Sequence, residues 1–217
     1  MSEVIKVTYQ HYSTRFHIAK AMKMLEDLPV LSFDTEGRGV YTPEDREEAK
    51  ELLKNPDISK EHKRLSLLVA NNSGLSFPSL VRVTHFIFGT SNSHSIVFVC
   101  DNPQLELFIW DWISRYKGLL LVHNALFDLK LMKHRVNKYP LNYIDTSLVA
   151  KCLINHVSIW KAKIGLKELM GSFYDPRWSV HEDYEPKNLR DPDFLMYSAT
   201  DGAATFKLWE MIQEMRK

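Results

Sequence analysis

The sequence predicts an α/β fold in which a sheet is sandwiched between helices, and three observations carry that prediction. Apolar runs of strand length recur as PVLSFDTE, SLVRVTHFIFG, HSIVFVCD and GLLLVHN. Segments with apolar residues at helical spacing stand between and after them. The chain has 217 residues, 45% apolar and 25% charged, which suits one well-buried core and leaves too little for two average domains and a linker. A single domain over 1–217 is therefore expected.

Taken in order, residues 13–28 place Phe16, Ile18, Ala19, Met22 and Leu25 at helical spacing after a Ser/Thr start, which predicts an amphipathic helix. PVLSFDTE follows as a buried strand. Alternation along a strand puts Asp34 and Glu36, two residues apart near its end, on one face. From 37 to about 78 the chain turns charged and polar (EDREEAKELLK, SKEHKRLSLLV, NNSGLS), which reads as an insertion with one or two exposed helices. SLVRVTHFIFG and HSIVFVCD, joined by GTSNS, predict two antiparallel strands. QLELFIWDWISRYK predicts a helix with Gly118 as its stop. GLLLVHN is the next strand, and ALFDLKLMKHRV a helix with Asp128 in its first turns. NYIDTSLVAKCLIN predicts a short strand and a helix, and IGLKELMGSFY a short helix. From about Pro192 to Met215 a long helix carries Tyr197 and Asp201 one turn apart on the same face.

Composition removes several function classes. A net charge of +1 gives no global field for a polyanion, so any nucleic-acid contact must come from local Lys and Arg placement. Cys100 and Cys152 lie in apolar runs without paired spacing, so both are expected to be reduced core residues of a cytoplasmic protein. No HExxH or zinc-finger spacing occurs among the nine histidines. MSEVIKVTYQ has no signal-peptide pattern, and no apolar run approaches bilayer length, so no membrane partner is expected.

The residues that carry chemistry are four acids and a tyrosine in three short segments: Asp34 and Glu36 in LSFDTEG, Asp128 in HNALFD, Tyr197 and Asp201 in YSATD. Carboxylates gathered from distant segments are what two hard divalent cations require, with a phosphodiester completing the coordination shell. That pattern points to a metal-dependent nuclease. Taken singly, each acid has an ordinary reading as a strand-end carboxylate, a helix N-terminal charge or a solvated helical position. Together they resist it, because the apolar neighbours in YSATDGAATF leave Asp201 without an evident counter-charge.

FDTE, NALFD and YSATD, in this order, resemble the three motifs of the DEDD superfamily of 3′→5′ exonucleases, in the subclass with a tyrosine in the last motif. YIDTSLVAKCLIN and GLKELMG are also similar to segments of the exonuclease domain of family A DNA polymerases and of RNase D. The resemblance covers roughly 30–36 and 80–213. It implies a ribonuclease H-like fold, a mixed five-stranded sheet whose second strand is antiparallel to the rest, flanked by helices. It also implies two divalent ions, Mg²⁺ or Mn²⁺. Asp34, Glu36 and Asp201 would hold one ion, with Asp34 shared. Asp128 would support the other, largely through water. Tyr197 would align the attacking water, aided by Glu36.

By the same resemblance Thr35 would lend its backbone to the terminal nucleotide and Asn124 would sit near the substrate strand. Asn124 reads equally as a helix N-cap, and His123 either touches substrate or ends a strand. Lys130, Lys133, His134, Arg135 and Lys138 form one basic stretch and Lys161, Lys163 and Lys167 another, readable as phosphate contacts or as solvated faces. Trp112 and Trp160 are possible base-stacking residues; Trp110 falls in an apolar pattern and is expected in the core. Asp145 is expected to cap the helix after it, outside the site.

The expected activity is a 3′→5′ exodeoxyribonuclease of proofreading or end-trimming type, acting on single-stranded or frayed DNA ends. An RNase D-like exoribonuclease is the alternative, because the metal chemistry is indifferent to the 2′-hydroxyl. A non-catalytic nucleic-acid-binding module is disfavoured by the retention of all four acids. With no polymerase domain in the 217 residues, the exonuclease is expected to act alone or beside a polymerase supplied as a separate chain, in the cytoplasm or, if phage-encoded, that of a host.

Overall fold

The computed structural model describes residues 6–70, 78–154, 165–176 and 187–216. Its elements in chain order are β1 (Thr8–Tyr12), α1 (Arg15–Glu26), β2 (Val30–Gly39), α2 (Pro43–Leu53), α3 (Lys60–Ala70), β3 (Val81–Ser91), β4 (His94–Val99), α4 (Pro103–Ile113), β5 (Leu119–Val122), α5 (Leu126–Val136), β6 (Tyr143–Asp145), α6 (Thr146–Ile154), α7 (Leu166–Phe173) and α8 (Pro192–Met215). The sheet has six strands in the order β1-β4-β3-β2-β5-β6. β3 and β4 are antiparallel, whereas β1 with β4, β2 with β5 and β5 with β6 are parallel.

This is the mixed, helix-flanked sheet expected, with one strand more than the five. The extra strand is β1, TYQHY. It pairs Thr8 to His94 through Tyr12 to Phe98 at the sheet edge, and none of its five residues is buried. An exposed edge strand needs no apolar alternation, so its sequence carries no strand signature.

Two compact units emerge: Met1–Glu36 with Thr84–Lys217, and Gly37–Val83. In the second, α2 and α3 pack on each other, and Thr42 and Asp45 form a reciprocal capping box that fixes the start of α2.

In the first unit, the core between sheet and α4 is aromatic. Phe33, Phe86 and Phe88 meet the rings of Trp110 and Trp112 edge-on, with centroids 4.9–5.9 Å apart. Trp110 is fully buried, as expected, and its indole N–H donates to Glu106 at 3.2 Å. Trp112 is buried as well and donates to Glu26, which removes it from any stacking role. Glu106 also pairs with Arg135 at 2.6 Å, joining α4 to α5.

Two expectations are corrected here. α4 ends at Ile113, and Gly118 is no helix stop. A Cβ there would lie 2.3 Å from the Tyr116 phenol oxygen and 2.8 Å from the Leu28 carbonyl, the two groups that hydrogen-bond at this point. Cys152 lies exposed on α6, and only Cys100 is buried. No helix among the described residues is long and apolar enough to cross a membrane.

Candidate active site

Asp34 and Glu36 sit near the end of β2, whose first half is bracketed by β5 in parallel register, Val30 opposite Leu119 through Phe33 opposite Val122. Ser32 and Phe33 are buried just before them, so the strand stays in the core up to the first acid. Thr84, on β3, donates its hydroxyl to the Glu36 carbonyl at 3.1 Å.

α8 brings Tyr197 and Asp201 to the same end of the sheet by close backbone contact. Ser32 Oγ donates to the Gly202 carbonyl at 2.6 Å and accepts from Gly89 N at 3.0 Å, while Ser95 Oγ donates to the Ala199 carbonyl at 2.7 Å. The approach demands glycine. A Cβ on Gly89 would lie 2.2 Å from Ser32 Oγ and 2.6 Å from the Gly202 carbonyl oxygen.

Asp128, in the first turn of α5, is buried. Its Oδ1 accepts a 2.6 Å hydrogen bond from the Thr35 hydroxyl, and Thr35 N donates to Asp34 Oδ1 at 2.9 Å. Thr35 is thus a buried link between two of the acids, a role the sequence did not suggest.

The electrostatics are those of buried carboxylates, with like charges close to Glu36 and Asp128. Burial pushes Asp34 up to about 6, opposed by the Thr35 N–H. Burial, then the charges of Asp34, Asp201 and Asp128, push Glu36 up to about 9, with Lys167 pulling the other way. Asp128 is held well above the usual carboxylate range by burial and by Asp34.

Lys167, readable from the sequence as a phosphate contact or as a solvated lysine, instead meets Tyr197. Its Nζ donates to Tyr197 Oη at 2.9 Å and lies 4.7 Å from the tyrosine ring centroid. Its position in GLKELMG, directly after the matched glycine and leucine, was the available signal.

Asn124 is not a helix cap. It takes a left-handed backbone (φ 58°), and Ala125 occupies the cap position without a side-chain bond. Asn124 is exposed, and His123 follows β5 with its ring Nδ1 3.0 Å from Thr146 Oγ1. In the first basic stretch Arg135 and Lys138 are taken up by Glu106 and Asp111, and Lys133 lies over the Tyr139 ring. Trp160, Lys161 and Lys163 lie outside the described residues.

Among the described residues no three His, Cys, Asp or Glu side chains are closed into a ready-made metal cage. The donor set nevertheless fits a hard divalent cation in type: four carboxylates whose charges act on one another, with two of them engaged by Thr35 alone among the hydrogen bonds described above.

No family model matches the chain. DNA polymerase DpoZ of Vibrio phage phiVC8 is 32% identical over 75 residues, 34% of this chain and 12% of the polymerase. Among solved structures, Brucella melitensis NrnC bound to pGG superposes with a TM-score of 0.57 at 13% identity, covering 98% of this chain and 82% of that one. The catalytic core of RRP6 from Trypanosoma brucei gives 0.58 at 10% identity, covering 98% of this chain and 48% of that one. Escherichia coli RNase D, an exoribonuclease involved in structured RNA processing, gives 0.54 at 14% identity, covering 96% and 45%. The chain therefore has the fold these nucleases share, and it spans less than half the length of the RRP6 and RNase D chains.

Proposed function

We propose that this chain is a metal-dependent 3′→5′ exonuclease that releases nucleoside 5′-monophosphates from the 3′ end of a single strand. The observation that carries the reading is the gathering of Asp34, Asp128 and Asp201 about a buried Glu36: burial, and then their charges, raise the glutamate to about 9, a repulsion that bound cations would relieve. Asp34, Glu36 and Asp201 would hold one divalent ion and Asp128, with Asp34, the second; Brucella melitensis NrnC has been solved with bound Mg²⁺. Bound there, two such ions supply Lewis acidity, lowering the pKa of a water and neutralising charge on the phosphate.

The chain's own groups do the aligning. Because Lys167 Nζ donates to Tyr197 Oη, the phenol keeps its own O–H to donate to the attacking water. Glu36, ionised when a cation is bound, would accept a hydrogen bond from that water and so help turn its lone pair to phosphorus. Asn124, exposed at the β5–α5 turn, would contact the substrate strand. Residues 37–78 enter as an elaboration of a single nuclease domain.

Two polymer readings each rest on an observation. The partial match to a phage DNA polymerase favours DNA, and with it proofreading beside a separate polymerase chain. RNA is favoured by RNase D, an exoribonuclease, and by the Trypanosoma brucei RNase D complex with RNA U12, TM-score 0.53. Matched 5′-labelled DNA and RNA oligonucleotides incubated with Mn²⁺ decide both points. The expected result is a ladder shortening from the 3′ end on one polymer or both, absent in Asp34→Ala. Intact substrate, or shortening from the 5′ end, rejects the reading.

A further inference from the structure

Asp145 does more than cap α6. Its Oδ1 accepts from Ser147 N at 2.9 Å, Ser147 Oγ at 2.6 Å and Leu148 N at 3.4 Å, the contacts of a helix cap. The same oxygen accepts from Asn124 N at 3.2 Å, and Oδ2 accepts from Ala125 N at 3.0 Å. One carboxylate thus stands at the start of two helices. The second is α5, whose own cap residue, Ala125, offers no side-chain acceptor.

Two further ties hold the junction. Val122 and Asp145 are partners in the β5–β6 register, and Thr146 Oγ1 donates to the Val122 carbonyl at 3.3 Å. Between these ties lies Asn124 in its left-handed conformation, the bend that turns β5 into α5. Asp128 comes three residues after Ala125, within the first turn of that helix.

We propose that Asp145 is a positioning residue of the site: by anchoring the Asn124 and Ala125 amides it sets the angle at which α5 presents Asp128 toward Asp34. The proposal rests on the metal-dependent exonuclease reading. Asp145→Asn is the direct test. The amide keeps the shape and one acceptor oxygen, but its nitrogen must face N–H donors on one side, so one helix loses its anchor. The expected result is a fall in kcat and in Mn²⁺ affinity on the order of 10- to 100-fold, with KM for the oligonucleotide little changed. Ser147→Ala, which removes only an α6 contact, should keep turnover near wild type at a similar loss of thermal stability.

A second pair guards against misfolding of that variant. Asn124→Ala and Asn124→Gly both lack the side chain and differ in their tolerance of a left-handed backbone, so only Asn124→Ala should lower Mn²⁺ affinity. The positioning role is overturned if wild type cleaves while Asp145→Asn matches it in kcat and Mn²⁺ affinity. It is equally overturned if Ser147→Ala falls as far as Asp145→Asn, or if the two Asn124 variants bind Mn²⁺ alike. A wild type that neither cleaves nor binds Mn²⁺ rejects the exonuclease reading, and the positioning role with it.

Discussion

The two helices that carry acids to the site are docked by different physics. α8 lies directly on the sheet: its Ala199 and Gly202 carbonyls accept from serine hydroxyls, and the glycines at 89 and 202 leave no room for a side chain. α5 is placed by polar side chains, the Thr35 hydroxyl on Asp128 and the Asp145 carboxylate on its first amides. The helix of Asp201 is therefore held by a close glycine approach as well as by serine hydrogen bonds, and Asp128 by side-chain anchors. Steric packing fails when volume is added, whereas a hydrogen-bonded anchor fails when a partner is removed.

The largest expected effect is on the acids themselves. Asp201→Ala should lower cleavage by on the order of 10²- to 10³-fold or more, the scale at which charge-stabilising groups are lost. Asp128→Asn should cost less, since in the proposed mechanism that residue would act largely through water. Single-turnover rates measure both, and equal losses would erase the distinction between the two helices.

Next come the docking contacts. Gly89→Ala overpacks α8 against Ser32 and should cost about 1–3 kcal/mol of stability. Thr35→Val removes the hydroxyl on buried Asp128 and should cost about 1–3 kcal/mol in metal-free protein. The two differ in rescue. Mn²⁺ should recover much of the Thr35→Val loss, because a cation replaces the lost partner of Asp128, and little of the Gly89→Ala loss. Denaturant titrations with EDTA and with Mn²⁺ separate them, and equal rescue would show that both helices are held in the same way.

How much of this was legible in the sequence follows from the same contrast. The long helix from Pro192 to Met215, the pair Asp34 and Glu36 on a buried strand and the antiparallel β3–β4 pair were readable, because each depends on local periodicity. The anchors were not. Asp145 and Ala125 are 20 residues apart, Thr35 and Asp128 are 93 apart, and nothing local marks either pair. Lys167 was visible only as one lysine among several until α7 set it against Tyr197. Cys152 misled because it occupies an apolar run yet lies exposed on α6.

A pH effect should follow from the crowded carboxylates. Glu36 keeps its proton to about 9 in the fold, against an ordinary 4.5, and Asp34 keeps its proton to about 6, against 3.8. The folded state thus binds more protons than the unfolded chain across this window, so metal-free stability should fall as pH rises from about 4 to about 9. Mn²⁺ should flatten that slope, because it favours the ionised carboxylates. Thermal unfolding across the range measures it; a metal-free slope of zero would mean that burial and mutual repulsion do not raise these acids.

The smallest expected effect is on alignment. Tyr197→Phe and Lys167→Ala should each slow cleavage while sparing oligonucleotide binding, and the double variant should be little worse than either alone, since the two act as a unit. Additive losses would separate them.

The central claim is that Asp34, Glu36, Asp128 and Asp201 form a divalent cation site. Anomalous scattering from crystals grown with Mn²⁺ and a nucleoside 5′-monophosphate tests it most directly. Two Mn²⁺ peaks among these four carboxylates, about 3.5–4 Å apart, are predicted. Crystals saturated with Mn²⁺ that show no peak among the four would contradict it.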